Sequence, residues 1–455
     1  MIIPAPGHVN PGSTGPLKRH TGDRVIERLP MAGLVAPATV AEIELAQPVT
    51  VTYLSIANAE TDGRTLQALV LMRLHSQPVG VIVVNAPGGM VDARSCAEAA
   101  WMSLGAVPGE FHGTGPHYKL QAEAVPAPTP PVTVVVATRE RPGSLASCLD
   151  SLGRLDHPNY EVVVVDNDPA TEDTATLVRD RAEPGVRYAR ESQRGLAAAH
   201  NRGLQLADGA IVAFTDDDVI VDRHWLAEVA GAFQGNTGVA CVTGLILPAE
   251  LQTPAQVMLE AHGHFSKGFQ QRVLDLGAHR PADPLFPFTA GQLGSGANMS
   301  FDRDMLRTLG GFDPAIGTGT LARGGDDLAA FFAVIAAGHG LVYQPSALVW
   351  HRHRRDLDSL ASQAYGYGVG LGAYLASALA NHPAAISRAL RRAPAGLAYA
   401  LRPASPRNAH LRSAWPRQLT HLERRGMAFG PVAYAISRWR TRGVARPHAI
   451  RAPAP

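Results

Sequence analysis

Between residues 132 and 214 the chain alternates short, nearly continuous β-branched runs with helical stretches, and few architectures satisfy that rhythm. Val132-Thr-Val-Val-Val-Ala137 reads as a strand covered on both faces, because a strand with one wet face alternates apolar and polar residues. A helix follows over 145–152, a strand over 162–165, a helix over 174–183 and a short strand over 186–189. A helix over 196–206 and a strand over 211–214 complete the series. This alternation predicts an α/β fold: a mostly parallel sheet with helices on both faces. Ligands of such sheets sit beyond the carboxyl ends of the strands. Polar residues gather there in this chain: Thr138-Arg-Glu-Arg141, Asp166-Asn-Asp168 and Asp216-Asp-Asp218.

The flanking regions differ in composition. Ala124-Val-Pro-Ala-Pro-Thr-Pro-Pro131 favours extended backbone and cannot continue a helix or a central strand, so residues 121–131 read as a linker. Before it, strands over 49–57, 66–74 and 79–84 and a helix over 91–104 predict a small α+β domain spanning 30–120, with nothing that converges on chemistry. After it come the sheet domain, 132–355, and a helical, arginine-rich region, 356–455. Residues 359–387 carry no formal charge unless His382 protonates, but four glycines and Pro383 dilute them. A spanning helix needs roughly 20 predominantly apolar residues. The stretch is therefore expected to form a buried or interfacial helix.

Hydrophobic residues make up 46% of the 455 and charged residues 18%, which supplies a core and excludes long disorder. Three dispersed cysteines exclude a disulfide scaffold or a cysteine-rich zinc site and fit a reducing cytoplasm. The first 15 residues have neither a charged nor an apolar signal-peptide region, so no secretory signal is expected. The formal charge of +2 hides an asymmetry: residues 381–455 hold fourteen Arg and one acid, Glu423, for +13, leaving −11 on the rest. Residues 432–439 form an apolar stretch among Arg424, Arg425, Arg438, Arg440 and Arg442. As a helix it would lie on an anionic membrane, at the inner face of the cell membrane; alternatively the arginines clamp the tail onto the acidic body. No aromatic residues interleave regularly with these arginines, which disfavours a nucleic-acid partner.

The chemistry is carried by acids. Three adjacent aspartates at a strand end repel one another, and a divalent cation among them relieves this. A hard ion such as Mg²⁺ or Mn²⁺ takes carboxylate oxygens together with substrate phosphate oxygens. On extended backbone Asp216 and Asp218 point one way and Asp217 the other. Alone, the triplet reads as a solvated acidic loop. The context reverses that reading: Asp166 ends a neighbouring strand, Gly324-Gly-Asp-Asp-Leu328 opens an apolar helix, and His351-Arg-His-Arg-Arg355 follows an apolar strand with metal-binding and anion-binding side chains.

Six motifs then occur in a recognisable order. They are Val132-Thr-Val-Val-Val-Ala-Thr138, Val162-Val-Val-Val-Asp-Asn167, Phe214-Thr-Asp-Asp-Asp218, Gly294-Ser-Gly-Ala-Asn-Met-Ser300, Leu309-Gly-Gly-Phe-Asp313 and Gly324-Gly-Asp-Asp-Leu328, with Trp350-His351 after them. Together they resemble the family 2 glycosyltransferases of the GT-A fold, over about residues 131–355. The resemblance implies a metal-dependent, inverting transfer of a sugar from a nucleotide-sugar donor to a glycan or lipid-linked acceptor. It implies that Asp166 contacts the nucleotide, that Asp216 and Asp218 match the family's DXD element, and that His351 completes the metal site. Asp327 is implied as the catalytic base, with Asp326 beside it where the family usually has Glu. Thr138, Arg139, Arg141, Arg194, Asn201 and Asp217 fall where donor contacts are expected, although His200-Asn201 stands where the family often has Arg-Asn. A single base without a nucleophilic partner fits one displacement, and two-carboxylate hydrolysis leaves the metal-type triplet unexplained. A nucleotidyltransferase would want a glycine-rich loop after the first strand, and 137–143 has one glycine. A third reading is an inactive membrane-docking module, against which the retained acids argue.

Overall fold

The computed structural model describes residues 29–57, 65–105, 129–382 and 415–443, apart from 32, 264 and 284. Most of the expected Pro/Ala linker and the amino-terminal 28 residues lie outside the described residues.

Four strands come first: β1 (Ala38–Glu44), β2 (Thr50–Ser55), β3 (Gln67–Leu74) and β4 (Gln77–Asn85), in the order β2-β1-β3-β4. The helix α1 (Ala93–Leu104) follows, and its cap is Asp92, whose carboxylate accepts from Ser95 N. The alternation of side chains divides this sheet cleanly. Ala41, Ile43, Val70 and Met72 face α1. Val40, Leu69, Leu71 and Val81 face away and share a core with Leu245, Leu247, Leu348 and Trp350 of the main sheet. Arg73 reinforces the junction, bonding Glu42 at 2.8 Å and Asp222 at 2.5 Å.

The main sheet is built around β5 (Val132–Thr138), buried at every position. It is parallel to β6 (Tyr160–Asn167), and β7 (Val186–Glu191) extends that side. On its other side it is parallel to β8 (Ile211–Asp216). The helices α2 (Pro142–Leu152), α3 (Asp173–Arg181) and α4 (Leu196–Leu206) make the crossovers. Val134 and Val136 pack with α2 and α3, while Val135 and Ala137 pack with α4, so both faces of β5 are dry.

Beyond β8 the chain runs through β9 (Val219–Val221), α5 (Trp225–Gln234), β10 (Val239–Pro248), α6 (Pro254–Gly263) and β11 (Arg272–Leu274). It continues through β12 (Met299–Asp302), α7 (Arg303–Thr308), α8 (Asp326–Ala336) and β13 (Gly340–His351). The sheet order is β11-β13-β10-β12-β8-β5-β6-β7, with β9 paired to β13. It is mixed rather than wholly parallel: β12 runs antiparallel between β8 and β10, and β11 and β9 run antiparallel to β13. Asn298 pins this half. Its amide donates to Leu245 O (3.0 Å) and Ala347 O (2.8 Å) and accepts from the Trp225 indole (2.9 Å).

Two long helices follow, α9 (Leu357–Asn381) and α10 (Arg417–Arg440). They touch backbone to backbone: a Cβ on Gly368 would sit 1.9 Å from Glu423 O, and one on Gly426 would sit 2.3 Å from Tyr365 O. The glycines that interrupt the apolar stretch of α9 are thus its packing seam. Among the described residues no helix is long and apolar enough to cross a membrane.

Asn298→Ala leaves an indole N–H and two carbonyls buried without their partner, and at ~1–3 kcal/mol per stranded group should cost at least about 3 kcal/mol. Urea unfolding measures this, and a loss below ~1 kcal/mol would show that Asn298 does not hold the junction.

Candidate active site

The acid triplet straddles a tight reversal. Asp216 is the last residue of β8, the chain turns at Asp217 and Asp218, and β9 then pairs antiparallel with the end of β13, Val219 opposite His351. That pairing, with Arg352 N donating to Asp218 O at 3.0 Å, delivers His351 to the acids. Asp218 Oδ1 lies 3.1 Å from His351 Nε2. Ligand atoms of Asp216, Asp218 and His351 all fall within 4.8 Å of one another. Asp217 points elsewhere: its carboxylate accepts from Thr138 Oγ1 at 2.7 Å and from Arg141 at 2.6 Å. The second arm of the Arg141 guanidinium reaches Asp218 Oδ2 at 2.6 Å.

The electrostatics follow from this arrangement. Burial raises the Asp216 carboxyl, and the charge of Asp218 adds to the effect. Burial also pushes Asp217 up to about 7 against the pull of Arg141. For Asp218 burial acts in the same direction, but His351 and Arg141 outweigh it and hold the group below the usual carboxylate range. His351 is raised in turn: burial opposes its charge, and Asp218 prevails.

A second pair of acids starts α8. Gly325 turns the chain into this helix at φ +89°, and a Cβ there would meet Gly370 O at 2.5 Å, so only glycine fits. Asp326 is buried, with its Oδ2 3.4 Å from His200 Nδ1. Asp327 accepts from Gly296 N at 2.9 Å and from Leu328 N at 2.8 Å. Burial, then the charges of Asp326 and more weakly Asp216, lift its pKa to about 6. The two acid groups therefore share one field.

The remaining expected residues separate into three kinds. Asp166 is fully buried, bonded by the Tyr188 hydroxyl through Oδ2 while Oδ1 has no hydrogen bond among the described residues. Burial raises its pKa. Arg139 and Arg194 are exposed; Arg139 lies 3.3 Å from Asp168. Thr138, Arg141 and Asp217 are engaged with one another and hold the acid loop. Asn201 departs most from expectation. Both ends of its amide bond the Phe312 backbone at 2.8 Å, so it ties α4 to the 309–313 turn and offers no evident donor contact.

Sequence reasoning assigned no individual role to Asn167, His353 or Glu260. Asn167 accepts from Gly195 N and donates to Gln193 O, which fixes the loop that carries Arg194. Behind His351, His353 bonds Glu260 at 2.6 Å, both almost fully buried, and the two imidazoles meet edge to face. The spacing His351-Arg-His353 carried that signal, since residues two apart in extended chain share a face.

The main sheet, covered on both faces, thus carries its metal-type acids beyond the carboxyl ends of its strands, where ligands of open α/β sheets bind. Residues 133–278 match the family model "Glycosyl transferase family 2". The chain is 30% identical over 239 residues to a pre-mycofactocin glycosyltransferase of Mycobacterium tuberculosis, covering 52% of this chain and 46% of that one. It is 23% identical to a glucosyl-dolichyl phosphate glucuronosyltransferase of Haloferax volcanii, over 52% of this chain and 75% of that one. It thus spans about half the length of the mycobacterial relative. Among solved structures it is similar to a mannosyltransferase of Pyrobaculum calidifontis in complex with GDP-Man and Mn²⁺, at 20% identity, 71% and 79% coverage and a TM-score of 0.41.

Arg141→Met strands two carboxylates. The arginine is 32% exposed, so the loss should fall between that of an exposed and a fully buried pair, about 2 kcal/mol by chemical unfolding. Adding Asp217→Asn should recover part of it, and a strictly additive double variant would show that the two do not interact.

Proposed function

We propose that this chain is a metal-dependent, inverting glycosyltransferase that passes a sugar from a nucleotide-sugar donor to an acceptor hydroxyl. The observation that carries the reading is the convergence of Asp216, Asp218 and His351 with Asp327 at one edge of the sheet. Two carboxylates and an imidazole form a donor set suited to a divalent ion, with further positions left for diphosphate oxygens. Mg²⁺ or Mn²⁺ bound there would supply positive charge opposite the leaving diphosphate.

The protein's own groups have distinct tasks in this reading. Asp166, whose free oxygen is buried at a strand end, accepts a hydrogen bond from the nucleotide. The exposed Arg139 and Arg194 are available to phosphate. Asp327 is fixed by two backbone N–H groups and takes the acceptor's hydroxyl proton. As that proton leaves, the acceptor oxygen bonds the anomeric carbon and the bond to the diphosphate oxygen breaks. One displacement inverts the configuration. Asp326, beside His200, keeps a second negative charge next to Asp327 and so keeps the base strong.

Asp327→Asn keeps shape but removes basicity, so turnover should fall by roughly 10²–10⁴ with donor affinity retained. In the parent protein the base must be ionised; its pKa lies near 6, so kcat/KM should rise with pH through about 6 and be lost below it. An unchanged turnover in Asp327→Asn would remove Asp327 from this role.

Activity followed as nucleoside diphosphate release should require Mn²⁺ or Mg²⁺, and Asp218→Ala should weaken Mn²⁺ binding at least tenfold by calorimetry. Full activity in excess chelator would refute metal dependence, and release of pyrophosphate would indicate nucleotidyl transfer.

A further inference from the structure

The outer face of α10 is unexplained by the catalytic site. Phe429, Val432, Ile436 and Trp439 are 38%, 52%, 36% and 66% exposed. They succeed one another by three, four and three residues, so they form one stripe along the helix. The inner face is already satisfied: Gly426, Gly430, Ala433, Tyr434 and Ser437 are buried against the neighbouring structure. The helix therefore has an apolar face inside and another outside, whereas a helix packing only on its own domain turns polar residues outward.

The charge around the stripe is of one sign. Arg424, Arg425, Arg438, Arg440 and Arg442 are exposed beside it, and none forms an ion pair with an acid among the described residues; Arg438 bonds the Tyr434 hydroxyl at 2.9 Å. The one acid of the helix, Glu423, faces inward, with its carboxylate 3.7 Å from His262 Nε2. Among the described residues α10 is held to α9 through its glycine seam.

We propose that α10 lies in the interface of an anionic membrane, its stripe in the acyl boundary and its arginines on headgroup phosphates. Trp439 sits at the rim of the stripe, where an amphipathic ring favours the membrane–water boundary. A second copy of the chain is the poorer occupant, because two such faces would bring ten arginines together with no acid between them. The membrane contact stands without the transferase reading. The added inference that the acceptor is lipid-linked rests on it.

The test uses the full chain without donor, sedimented with vesicles of phosphatidylglycerol and phosphatidylcholine or of phosphatidylcholine alone, at one ionic strength. Binding to the anionic vesicles should exceed the neutral by at least tenfold. Phe429→Ser/Ile436→Ser/Trp439→Ser should abolish it, and Arg424→Gln/Arg425→Gln/Arg440→Gln/Arg442→Gln should remove the anionic preference. A milder variant, Trp439→Ser alone, should lower binding several-fold with circular dichroism unchanged. Equal or negligible binding to both vesicles overturns the proposal, as does binding that the stripe variants leave intact. A concentration-dependent dimer dissolved by those variants overturns it in favour of self-association. Because no donor is present, failure here leaves the catalytic reading untouched, and an inactive chain that still binds lipid leaves this one standing.

Discussion

Carboxylates brought together out of water repel one another, and Asp216, Asp217, Asp218, Asp326 and Asp327 are all held at one edge of the main sheet. Much of the surrounding structure answers that repulsion. Arg141 spans Asp217 and Asp218, and Thr138 takes the other oxygen of Asp217. His351 arrives because β9 pairs with β13. Asp327 lies at a helix N-terminus, where the peptide dipoles favour negative charge. Even so, the compensation is partial, since Asp216, Asp217 and Asp327 all stay above the ordinary carboxylate range. The site thus remains short of positive charge, the condition that would favour the divalent ion proposed to bind there.

The same arrangement explains what was legible in the sequence. β5, β6 and β8 were readable because strands buried on both faces must be continuous in apolar character, and each is bounded by local turn residues. The opposed directions of Asp217 and of the Asp216–Asp218 pair were expected from the period of two, but the chain leaves the strand after Asp216 and it is the turn at Asp217 and Asp218 that sets them. β12 was not readable, because its four residues are too few to show a period and its place between β8 and β10 depends on pairings far away in sequence. β1 was hidden by Glu42 and Glu44 within its run, although its buried neighbours make it central in the small sheet. β10 satisfied the rule that identified β5, yet it lacked the adjoining acids that drew attention to β8.

The roles of single residues divided along the same line. Asp166, Asp218 and His351 could be singled out because each lies at or just beyond the end of a strand, and Asp327 because it opens a helix. Asn201 could not be placed, since its amide is bound by Phe312, 111 residues away, and nothing near Asn201 records that partner. Arg141 was placed near the donor by position, but its guanidinium is taken by Asp217 and Asp218. The geometry of the acid loop, rather than its composition, decides which charges remain available to a ligand.

The two carboxy-terminal helices extend this dependence outward. Gly370 of α9 lies against Gly324 and Gly325, the turn that sets the start of α8 and hence Asp326 and Asp327. On its other side α9 meets α10 through Gly368 and Gly372, again backbone to backbone. Contacts of that kind have no side chain to rearrange, and close-packed interiors transmit displacement rather than absorb it. An additional methyl group at either seam would have to move a whole helix. The exposed face of α10 and the acid pair of α8 are therefore separated by one helix with no compliant layer between them. Whatever fixes the orientation of α10 bears, through α9, on the placement of Asp326 and Asp327.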